Sequence, residues 1–366
     1  MGAIKTLGIL TSGGDCPGLN AVIRGVVQHA IEHFGCEVIG INEAQHGLLA
    51  DPPRFQRLTL GLFEGELLRA GGTMLGATTQ GDPWAYPDES GGTSDRSGDI
   101  IKAIRHLGVD AMVVIGGDGS MRIFDKLLTP SGIPWVGVPK TIDNDVPGTD
   151  FSVGFITAVD IVGSALDRLH TTATSHRRIM VLETMGRESG FLALYGGVAG
   201  GADAILMPEL RYDITDLIAH IKRIRAEERA HILVVVAEGT PDPKGALIGM
   251  PYFGSNRALG GVGTVLADAL AKGTGVSTRC TVLGHLQRGG TPAVFDRLLG
   301  SAMGVNAVDT LMKGETRKMS AWTGGHVTTV DMDVAITGPR VVDPHHEMLE
   351  TARGLGIYVG TPRKTD

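Results

Sequence analysis

Residues 139–149 of the chain read PKTIDNDVPGT, and they directly follow the apolar run IPWVGV at residues 133–138. The apolar run is typical of a buried strand, which Pro139 ends. Because Asp-Asn-Asp is dense in turn formers, we expect Asp143 and Asp145 in a loop at the carboxyl end of that strand. Open α/β sheets bind their ligands at this edge. An ordinary Asx-rich turn explains the stretch equally well on its own, so the interpretation depends on the loops that accompany it.

Two other strand-to-helix turns carry complementary residues, VVIGGDGS at residues 113–120 and LGILTSGGDCPGLN at residues 7–20. Glycine permits close backbone approach, and the start of the following helix offers free N–H groups to an anion. Asp118 in such a turn is suited to hold Mg²⁺ against a polyphosphate. A plain β-α connection explains either turn alone. Neither turn is a P-loop or has the three-glycine dinucleotide spacing, so together they indicate a phosphate site assembled from several loops.

The length, charge and cysteine content of the chain exclude several classes of protein. At 366 residues the chain has the length of about two domains, and its hydrophobic content of 42% supplies packed cores. A net charge of −7 argues against nucleic acid or an anionic membrane as a partner. Cys16, Cys36 and Cys280 have neither metal nor redox spacing, which fits a reducing compartment. No apolar run is long enough to span a bilayer and no signal peptide is recognisable, so we expect a cytoplasmic protein.

Short apolar runs alternate with amphipathic runs along the chain, which predicts layers of strands and helices. Helices are predicted at residues 21–34, 99–107, 157–174, 214–228, 260–272 and 293–312, and strands at residues 36–41, 110–115, 178–182, 231–237 and 279–283. Residues 73–79 are expected to be extended, and residues 81–97 to form a long exposed loop. The segment beyond about residue 315 carries no recognisable motif.

Five segments in chain order resemble the 6-phosphofructokinase family: residues 8–20, 116–120, 139–154, 185–187 and 281–290. Any one of them could occur elsewhere, but five in the family's order are highly specific. The resemblance implies an α/β fold of two Rossmann-like three-layer α/β/α domains. The larger domain, residues 1–154 with about 286–337, would bind the phosphoryl donor. The smaller domain, about residues 155–285 with 338–366, would bind the sugar phosphate.

By the same resemblance, the chain would phosphorylate fructose 6-phosphate at its 1-hydroxyl with Mg-ATP, the committing step of glycolysis. Phosphoryl transfer requires positioning, charge neutralisation and a proton acceptor. Asp143 would take the hydroxyl proton. Thr141 and Arg187 would meet the charge that spreads over the transferring oxygens, and Asp118 would hold Mg²⁺.

The family pattern also assigns the binding residues. Those expected to bind the donor are Gly13, Gly14, Gly117, Gly119, Ser120 and Lys140. Those expected to bind the sugar phosphate are Arg178, Met185, Gly186, Glu238, Arg279, His285 and Arg288. Taken singly, each arginine is as well explained as a surface residue, and Glu238 as a strand-end carboxylate. Arg178 is expected to reach in from a neighbouring subunit, which implies a homo-oligomer, a homotetramer in our reading.

At two positions the sequence differs from the family pattern, so the family's donor contacts and regulation do not transfer directly to this chain. Many ATP-using bacterial members place an arginine after Gly-Gly-Thr-x-Leu-Gly, where this chain has ATTQ at residues 77–80, so its donor contacts must differ there. The first helix keeps Arg24 but has Gln28 where allosteric members carry a second arginine. Regulation by ADP or phosphoenolpyruvate is therefore left open. We assign no metal to His345 and His346, which are expected at the surface.

Two residues give opposite indications of whether the phosphoryl donor is ATP or pyrophosphate. Gly119 leaves room for the α-phosphate of ATP where pyrophosphate-using relatives carry an aspartate, whereas Lys140 is the residue that those relatives have. A lysine is compatible with either donor and an aspartate would exclude ATP, so we favour ATP. The alternatives are a pyrophosphate-dependent phosphotransferase, a non-catalytic regulatory subunit, and a kinase of another sugar phosphate or of a nucleoside.

Overall fold

The computed structural model describes residues 4–63, 65–79, 81–88, 91–250 and 258–362. The chain forms two compact units, the first from residues 1–157 and 288–339 and the second from residues 158–287 and 340–366. The boundaries expected from the family lie two or three residues from these. The function expected of each unit stays a prediction.

The strands of the described residues alternate with helices, as the sequence predicts. In chain order the strands are β1 (Thr6–Thr11), β2 (Glu37–Ile41), β3 (Phe55–Leu58), β4 (Tyr86–Pro87), β5 (Thr93–Ser94), β6 (Ala111–Gly116), β7 (Trp135–Pro139), β8 (Ile179–Thr184), β9 (Ala204–Leu206), β10 (Leu210–Arg211), β11 (Ile232–Ala237), β12 (Gly249–Met250), β13 (Ala258–Leu259), β14 (Thr278–Val282), β15 (Lys318–Thr323), β16 (His326–Asp331) and β17 (Thr361–Pro362).

The helices follow the predicted order, with ends that differ by a few residues. They are α1 (Leu19–Phe34), α2 (Gln45–Leu49), α3 (Ser97–His106), α4 (Asp118–Ser131), α5 (Phe155–His176), α6 (Phe191–Ala199), α7 (Ile214–Ala226), α8 (Val262–Thr274), α9 (Val294–Met312), α10 (Met332–Ala335) and α11 (Glu347–Gly354). None of the helices in the described part of the chain has the length and apolar character needed to cross a bilayer.

The first unit is built on a seven-stranded sheet of order β16-β15-β7-β6-β1-β2-β3. Its five central strands are parallel, and β3 and β16 pair antiparallel at the two edges. Apolar residues of α3, α4 and α10 form a core cluster with one face of this sheet. Helices α1 and α9 pack against each other and also contact its strands. Because β1, β6 and β7 are neighbours, the loops that follow them emerge side by side at the carboxyl edge.

The second unit is built on a smaller, parallel sheet of order β14-β8-β11-β9. Its strands are buried throughout β8, β9 and β11, as expected for a parallel sheet covered on both faces. Helices α7 and α8 form the core cluster on one side, and α6 contacts β9 and β11. The predicted α/β class with two domains is confirmed.

Three parts of the fold differ from the sequence-based expectation. Residues 73–79 form turns and no strand. Residues 81–97, expected as one long loop, contain the small β4–β5 hairpin within the residues that the structure describes. The segment after residue 315 supplies the β15–β16 hairpin, which extends the first sheet, and β15 pairs with β7.

Candidate active site

Three loops of the first unit are joined to one another at the carboxyl edge of its sheet. The Ser12 N–H donates to the Ile115 carbonyl at 2.9 Å, and the Lys140 N–H donates to the Gly116 carbonyl at 3.0 Å. The Ser120 hydroxyl donates to the Ser12 hydroxyl at 3.0 Å in a buried position. The loops after β1, β6 and β7 therefore form one surface, as the sequence predicted from their glycines and acids.

Lys140 lies where the first and third loops meet. Its side chain is buried, and its ammonium donates to the Gly14 carbonyl. A Cβ atom at Gly13, whose φ is +85°, would lie 3.1 Å from the Lys140 Nζ and 3.3 Å from the Ser120 Oγ. Burial lowers the pKa of Lys140 to about 8, so the ammonium is still the main form at neutral pH. A positive charge thus contacts the first of the loops whose N–H groups suit a phosphate.

Asp143 has the properties of a proton acceptor. Desolvation by burial and the nearby Asp145 carboxylate raise its pKa to about 7, and the Arg288 guanidinium opposes part of that rise. Its backbone N–H donates to the Thr141 hydroxyl at 3.1 Å. A carboxyl group that ionises near neutral pH is well matched to general-base catalysis.

Asn144 fixes the loop that carries Asp143. Its φ of +54° lies in the left-handed region, which asparagine tolerates better than most residues. Its side-chain amide donates to the Asp150 carbonyl at 2.9 Å and accepts from the Ser152 N–H at 2.9 Å. Asn144 is 1% exposed. The sequence showed the Asp-Asn-Asp turn, but only the structure assigns its middle residue this positioning role.

Asp118 begins α4 beside Gly119, and its carboxylate forms an ion pair with Arg122 at 2.7 Å. Within the described residues, no group of three or more His, Cys, Asp or Glu side chains could hold a metal ion. Mg²⁺ is commonly held by one or two carboxylates together with substrate phosphates and waters. A single carboxylate next to the phosphate loops therefore fits a magnesium ion that binds with a nucleotide.

A cavity of about 520 Å³ opens beside these loops within the first unit. A volume of this size is within the range of small-molecule sites. Its lining residues include Ser12, Gly13, Thr78, Thr79, Gly81, Asp82, Trp84, Gly119, Ser120, Arg122, Ile123 and Lys126. A Cβ atom at Gly119 would have the Arg122 guanidinium at 4.0 Å as its nearest neighbour, so this side of the cavity is open. Sequence reasoning missed Trp84, Arg122 and Lys126, which carry no motif.

Arg288 lies in the first unit and contacts its first loop. Its guanidinium donates to the Asp15 carbonyl at 3.1 Å, and a Cβ atom at Gly14 would lie 2.7 Å from it. The same guanidinium lowers the pKa of Asp143. Arg288 is thus electrostatically coupled to the candidate base, which the sequence did not reveal. Its expected contact with the sugar 6-phosphate stays a prediction.

Four of the expected substrate residues and the expected catalytic Arg187 lie at the carboxyl edge of the second sheet, in the loops after three adjacent strands. They are Met185, Gly186 and Arg187 after β8, Glu238 after β11 and His285 after β14. The Glu238 N–H donates to the Thr184 carbonyl at 2.9 Å, and the Met185 N–H donates to the Gln287 amide oxygen at 3.3 Å. The structure therefore brings these loops together, as the sequence predicted.

Arg178 and Arg279 lie at the other edge of the second sheet. Arg178 directly precedes β8, and Arg279 pairs with Met180 near the amino end of the same strand. The end of β14 at Val282 is three residues further along, roughly 10 Å at the rise of a parallel strand. Within one chain, the structure separates Arg279 from the loop of His285, although the family resemblance predicted that both bind the sugar phosphate.

The family model described as phosphofructokinase matches residues 6–311. The chain belongs to the phosphofructokinase family. It is 49% identical to ATP-dependent 6-phosphofructokinase 1 of Synechocystis. The alignment spans 361 residues, which are 98% of this chain and 99% of that protein. It is 46% identical to ATP-dependent 6-phosphofructokinase 1 of Nostoc over 98% of this chain and all of that protein.

Solved structures of the family share the fold. The T-state phosphofructokinase of Pichia pastoris superposes with a TM-score of 0.78 at 30% identity, covering 92% of this chain and 36% of that chain. A pyrophosphate-dependent phosphofructokinase of Marinobacter aquaeolei also gives 0.78, at 20% identity over 99% of this chain and 94% of that one. This second likeness concerns the fold alone. The family and the phosphofructokinase-type fold predicted from the five motifs are confirmed.

Proposed function

We propose that the chain is an ATP-dependent 6-phosphofructokinase, which transfers the γ-phosphoryl group of ATP to the 1-hydroxyl of fructose 6-phosphate. The observation that carries the proposal is Asp143, a partly buried carboxyl group beside Asp145, with a pKa raised to about 7, in the loop that the family motif predicts as catalytic. The relatives named as ATP-dependent 6-phosphofructokinases, at 43–49% identity over nearly the whole chain, support the same reaction.

Asp143 accepts the proton in this reaction. As the 1-hydroxyl oxygen attacks the γ-phosphorus, its O–H bond breaks and the proton passes to the Asp143 carboxylate. The new O–P bond forms while the bond from the γ-phosphorus to the β-γ bridging oxygen breaks, and ADP leaves with that electron pair. A base with a pKa of about 7 is largely ionised just above neutral pH, and it still has a useful affinity for the proton.

The charge of the transferring group is met by residues of the surrounding loops. Thr141 and Arg187 are proposed at the transferring oxygens, and Lys140 supports the phosphate loops from below. Asp118 would hold magnesium, which supplies charge neutralisation on the donor phosphates when it is bound. The N–H groups of the first two loops and of the start of α4 are suited to the same phosphates. The residues proposed for this cradle are Gly13, Gly14, Gly117, Gly119 and Ser120.

The donor is proposed to be ATP because Gly119 faces an open cavity. An aspartate side chain at this position would add a negative charge beside the donor phosphates and occupy part of that space. Lys140, which is typical of pyrophosphate-using relatives, remains compatible with ATP because its ammonium binds the Gly14 carbonyl, and the residues given for the cavity lining do not include it.

The sugar phosphate is proposed to bind residues of the second unit, namely Met185, Gly186, Glu238 and His285, together with Arg288. Arginine presents a planar fork of donors that matches a phosphate. Arg178 and Arg279 lie at the opposite edge of their sheet, so we propose that both serve the site of a neighbouring protomer in a homotetramer. All three cysteines are free, as in a reducing cytoplasm, where we place the enzyme.

An aldolase-coupled assay of purified protein tests the donor, because it detects fructose 1,6-bisphosphate whichever donor is used. With fructose 6-phosphate and Mg²⁺, we expect kcat/KM to be at least about tenfold higher with ATP than with pyrophosphate. Gly119→Asp should lose at least about tenfold in kcat/KM for ATP, whereas Gly119→Ala, which adds a methyl group in open space, should lose much less.

Turnover of pyrophosphate with no turnover of ATP would favour the pyrophosphate-dependent alternative and refute the argument from Gly119. No product with either donor, from a folded protein, would favour a regulatory subunit.

A further inference from the structure

The loop of residues 140–153, which carries Asp143, leaves the first sheet after β7 and returns beside its own start. The Val153 N–H donates to the Pro139 carbonyl at 3.1 Å, and the Thr141 N–H donates to the Val153 carbonyl at 3.2 Å. These hydrogen bonds close the loop at its base. The position of Asp143 therefore depends also on the contacts that hold the rest of the loop.

The β15–β16 hairpin supplies such contacts. β15 pairs with β7 through its first two residues. Further along β15, the main chain of Trp322 bonds to the loop instead: its N–H donates to the Thr149 hydroxyl at 3.0 Å, and its carbonyl accepts from the Asp150 N–H at 2.8 Å. In the hairpin turn, the Gly324 N–H donates to the Asp150 carboxylate at 2.8 Å. The tip of the hairpin is thus joined to the loop by hydrogen bonds.

Packing joins the same two segments. The Trp322 ring lies edge-on to the Phe295 ring with 5.8 Å between centroids, and the Phe295 ring lies edge-on to that of Phe151 in the loop at 5.6 Å. A Cβ atom at Gly148, whose φ is +84°, would lie 3.2 Å from the Val330 Cγ2 of β16. The loop therefore packs closely on the hairpin at a position where a glycine is required.

Asp150 is linked to the candidate base through Asn144. The Asp150 carbonyl accepts from the Asn144 side-chain amide at 2.9 Å, and Asn144 follows Asp143 directly in the chain. Asp150 is exposed, whereas Asn144 is buried. The hydrogen bonds therefore run from the exposed hairpin turn to the buried residue next to the base. Because an exposed hydrogen bond contributes little to stability, a change at the Asp150 side chain should affect the position of Asp143 more than the stability of the fold.

We propose that the β15–β16 hairpin positions the Asp143 loop for catalysis, and that Thr149 and Asp150 are the positioning residues through which it acts. The hairpin holds the loop so that Asp143 faces the attacking hydroxyl group and stays desolvated beside Asp145. This inference rests on the proposed function, and it assigns a role to the segment beyond residue 315, which carries no motif. Reacting groups must be held to a fraction of an ångström, so a small displacement of the loop lowers kcat strongly.

Steady-state kinetics with fructose 6-phosphate and Mg-ATP test the proposal. Asp150→Ala removes the carboxylate that accepts from the Gly324 N–H, and kcat should fall by about tenfold. KM for ATP should stay within about twofold, because the cavity assigned to the donor is lined by other loops. Asp150→Asn keeps an oxygen acceptor and should recover most of kcat. The matched control is Asp331→Ala, which removes an exposed ion pair with Lys318 in the same hairpin and should keep its kcat.

The pH profile gives a readout that a loss of stability alone would not move. Desolvation and Asp145 raise the pKa of Asp143 to about 7, and Arg288 acts in the opposite direction. A loosened loop admits water to the carboxyl group, so its pKa should fall toward the ordinary value. In Asp150→Ala the decline of kcat/KM at acidic pH should therefore move to lower pH by about half a unit to one unit. The melting temperature should stay within about 3 °C of the wild type.

A kcat within twofold of the wild type in Asp150→Ala, or an acidic decline that does not move, would overturn the inference and leave the proposed function intact. A kcat that falls only in proportion to the folded fraction, measured by circular dichroism, would show that the contact stabilises the fold and would also overturn it. An equal loss of kcat in Asp331→Ala would do the same. A wild-type protein that forms no fructose 1,6-bisphosphate with ATP would refute the proposed function and this inference together.

Discussion

Two aspartates of the first unit, Asp296 and Asp143, show how one residue type can serve structure or chemistry. Asp296, in the first turn of α9, is fully buried and accepts from the Gly154 N–H at 2.9 Å, the Thr157 N–H at 2.8 Å and the Thr157 hydroxyl at 2.5 Å. These donors belong to the start of α5, where N–H groups have no partner within the helix. Asp296 thus stabilises the beginning of that helix.

Asp143 differs from Asp296 in what surrounds it. Its desolvation and the neighbouring Asp145 raise its pKa to about 7, and Arg288 acts in the opposite direction. A folded protein that holds a carboxyl group in this way gives up stability above the ordinary pKa of the group, because the unfolded chain ionises freely. The two aspartates therefore differ in the groups that face them: N–H and O–H donors at Asp296, and a second carboxylate at Asp143.

The largest expected effect is on catalysis at Asp143. Asp143→Asn keeps the shape of the side chain but cannot accept a proton, so kcat should fall by about 100-fold or more. KM for fructose 6-phosphate should change little. The surface variant Asp268→Asn, which removes only an exposed ion pair with Lys272, is the matched control and should keep its activity. Steady-state kinetics measure both, and a near-normal kcat in Asp143→Asn would remove this residue from the role of base.

The same variant has an expected effect on stability. Between about pH 4 and pH 7 the unfolded wild type loses the Asp143 proton while the folded protein keeps it, so the wild type loses stability as the pH rises. The asparagine variant lacks this loss. It should therefore melt at a higher temperature than the wild type at pH 8 and at about the same temperature near pH 4.

The second prediction concerns Asp296→Asn, which should lower the stability of the fold instead of raising it. In Asp296→Asn an NH₂ group replaces one oxygen and faces N–H or O–H donors that need an acceptor. Each buried group left without a partner costs about 1–3 kcal/mol, so the free energy of unfolding should fall by about 2–4 kcal/mol. The kcat of the folded fraction should stay within about threefold of the wild type. A variant of normal melting temperature and abolished kcat would contradict the structural role.

The smallest effect is expected at Arg288, whose charge lowers the pKa of Asp143. The base works when ionised, so activity should decline as the pH falls through about 7. Arg288→Met should move this decline to higher pH by about one unit or less. It should also raise KM for fructose 6-phosphate more than KM for ATP, if the arginine binds the sugar phosphate as proposed.

Arg297→Met is the matched control for this prediction, because Arg297 lies on α9 and donates to the Pro292 carbonyl at 2.8 Å. Its pH profile of kcat/KM should match that of the wild type. An unshifted profile in Arg288→Met would show that the two residues are not coupled, and a rise confined to KM for ATP would place Arg288 with the donor.

The sequence by itself determined the α/β class, the family, and the loops that lie at the carboxyl edges of the two sheets. It could do so because parallel strands, turn formers and glycines are local patterns that follow the period of each element. The tertiary structure alone decided the raised pKa of Asp143, the hydrogen bonds of Asn144 and the contacts between Asp150 and the β15–β16 hairpin. It also placed Arg279 at the opposite edge from His285. These properties depend on burial, on charges and on contacts between residues that are distant in the chain, and a local pattern carries no information about them.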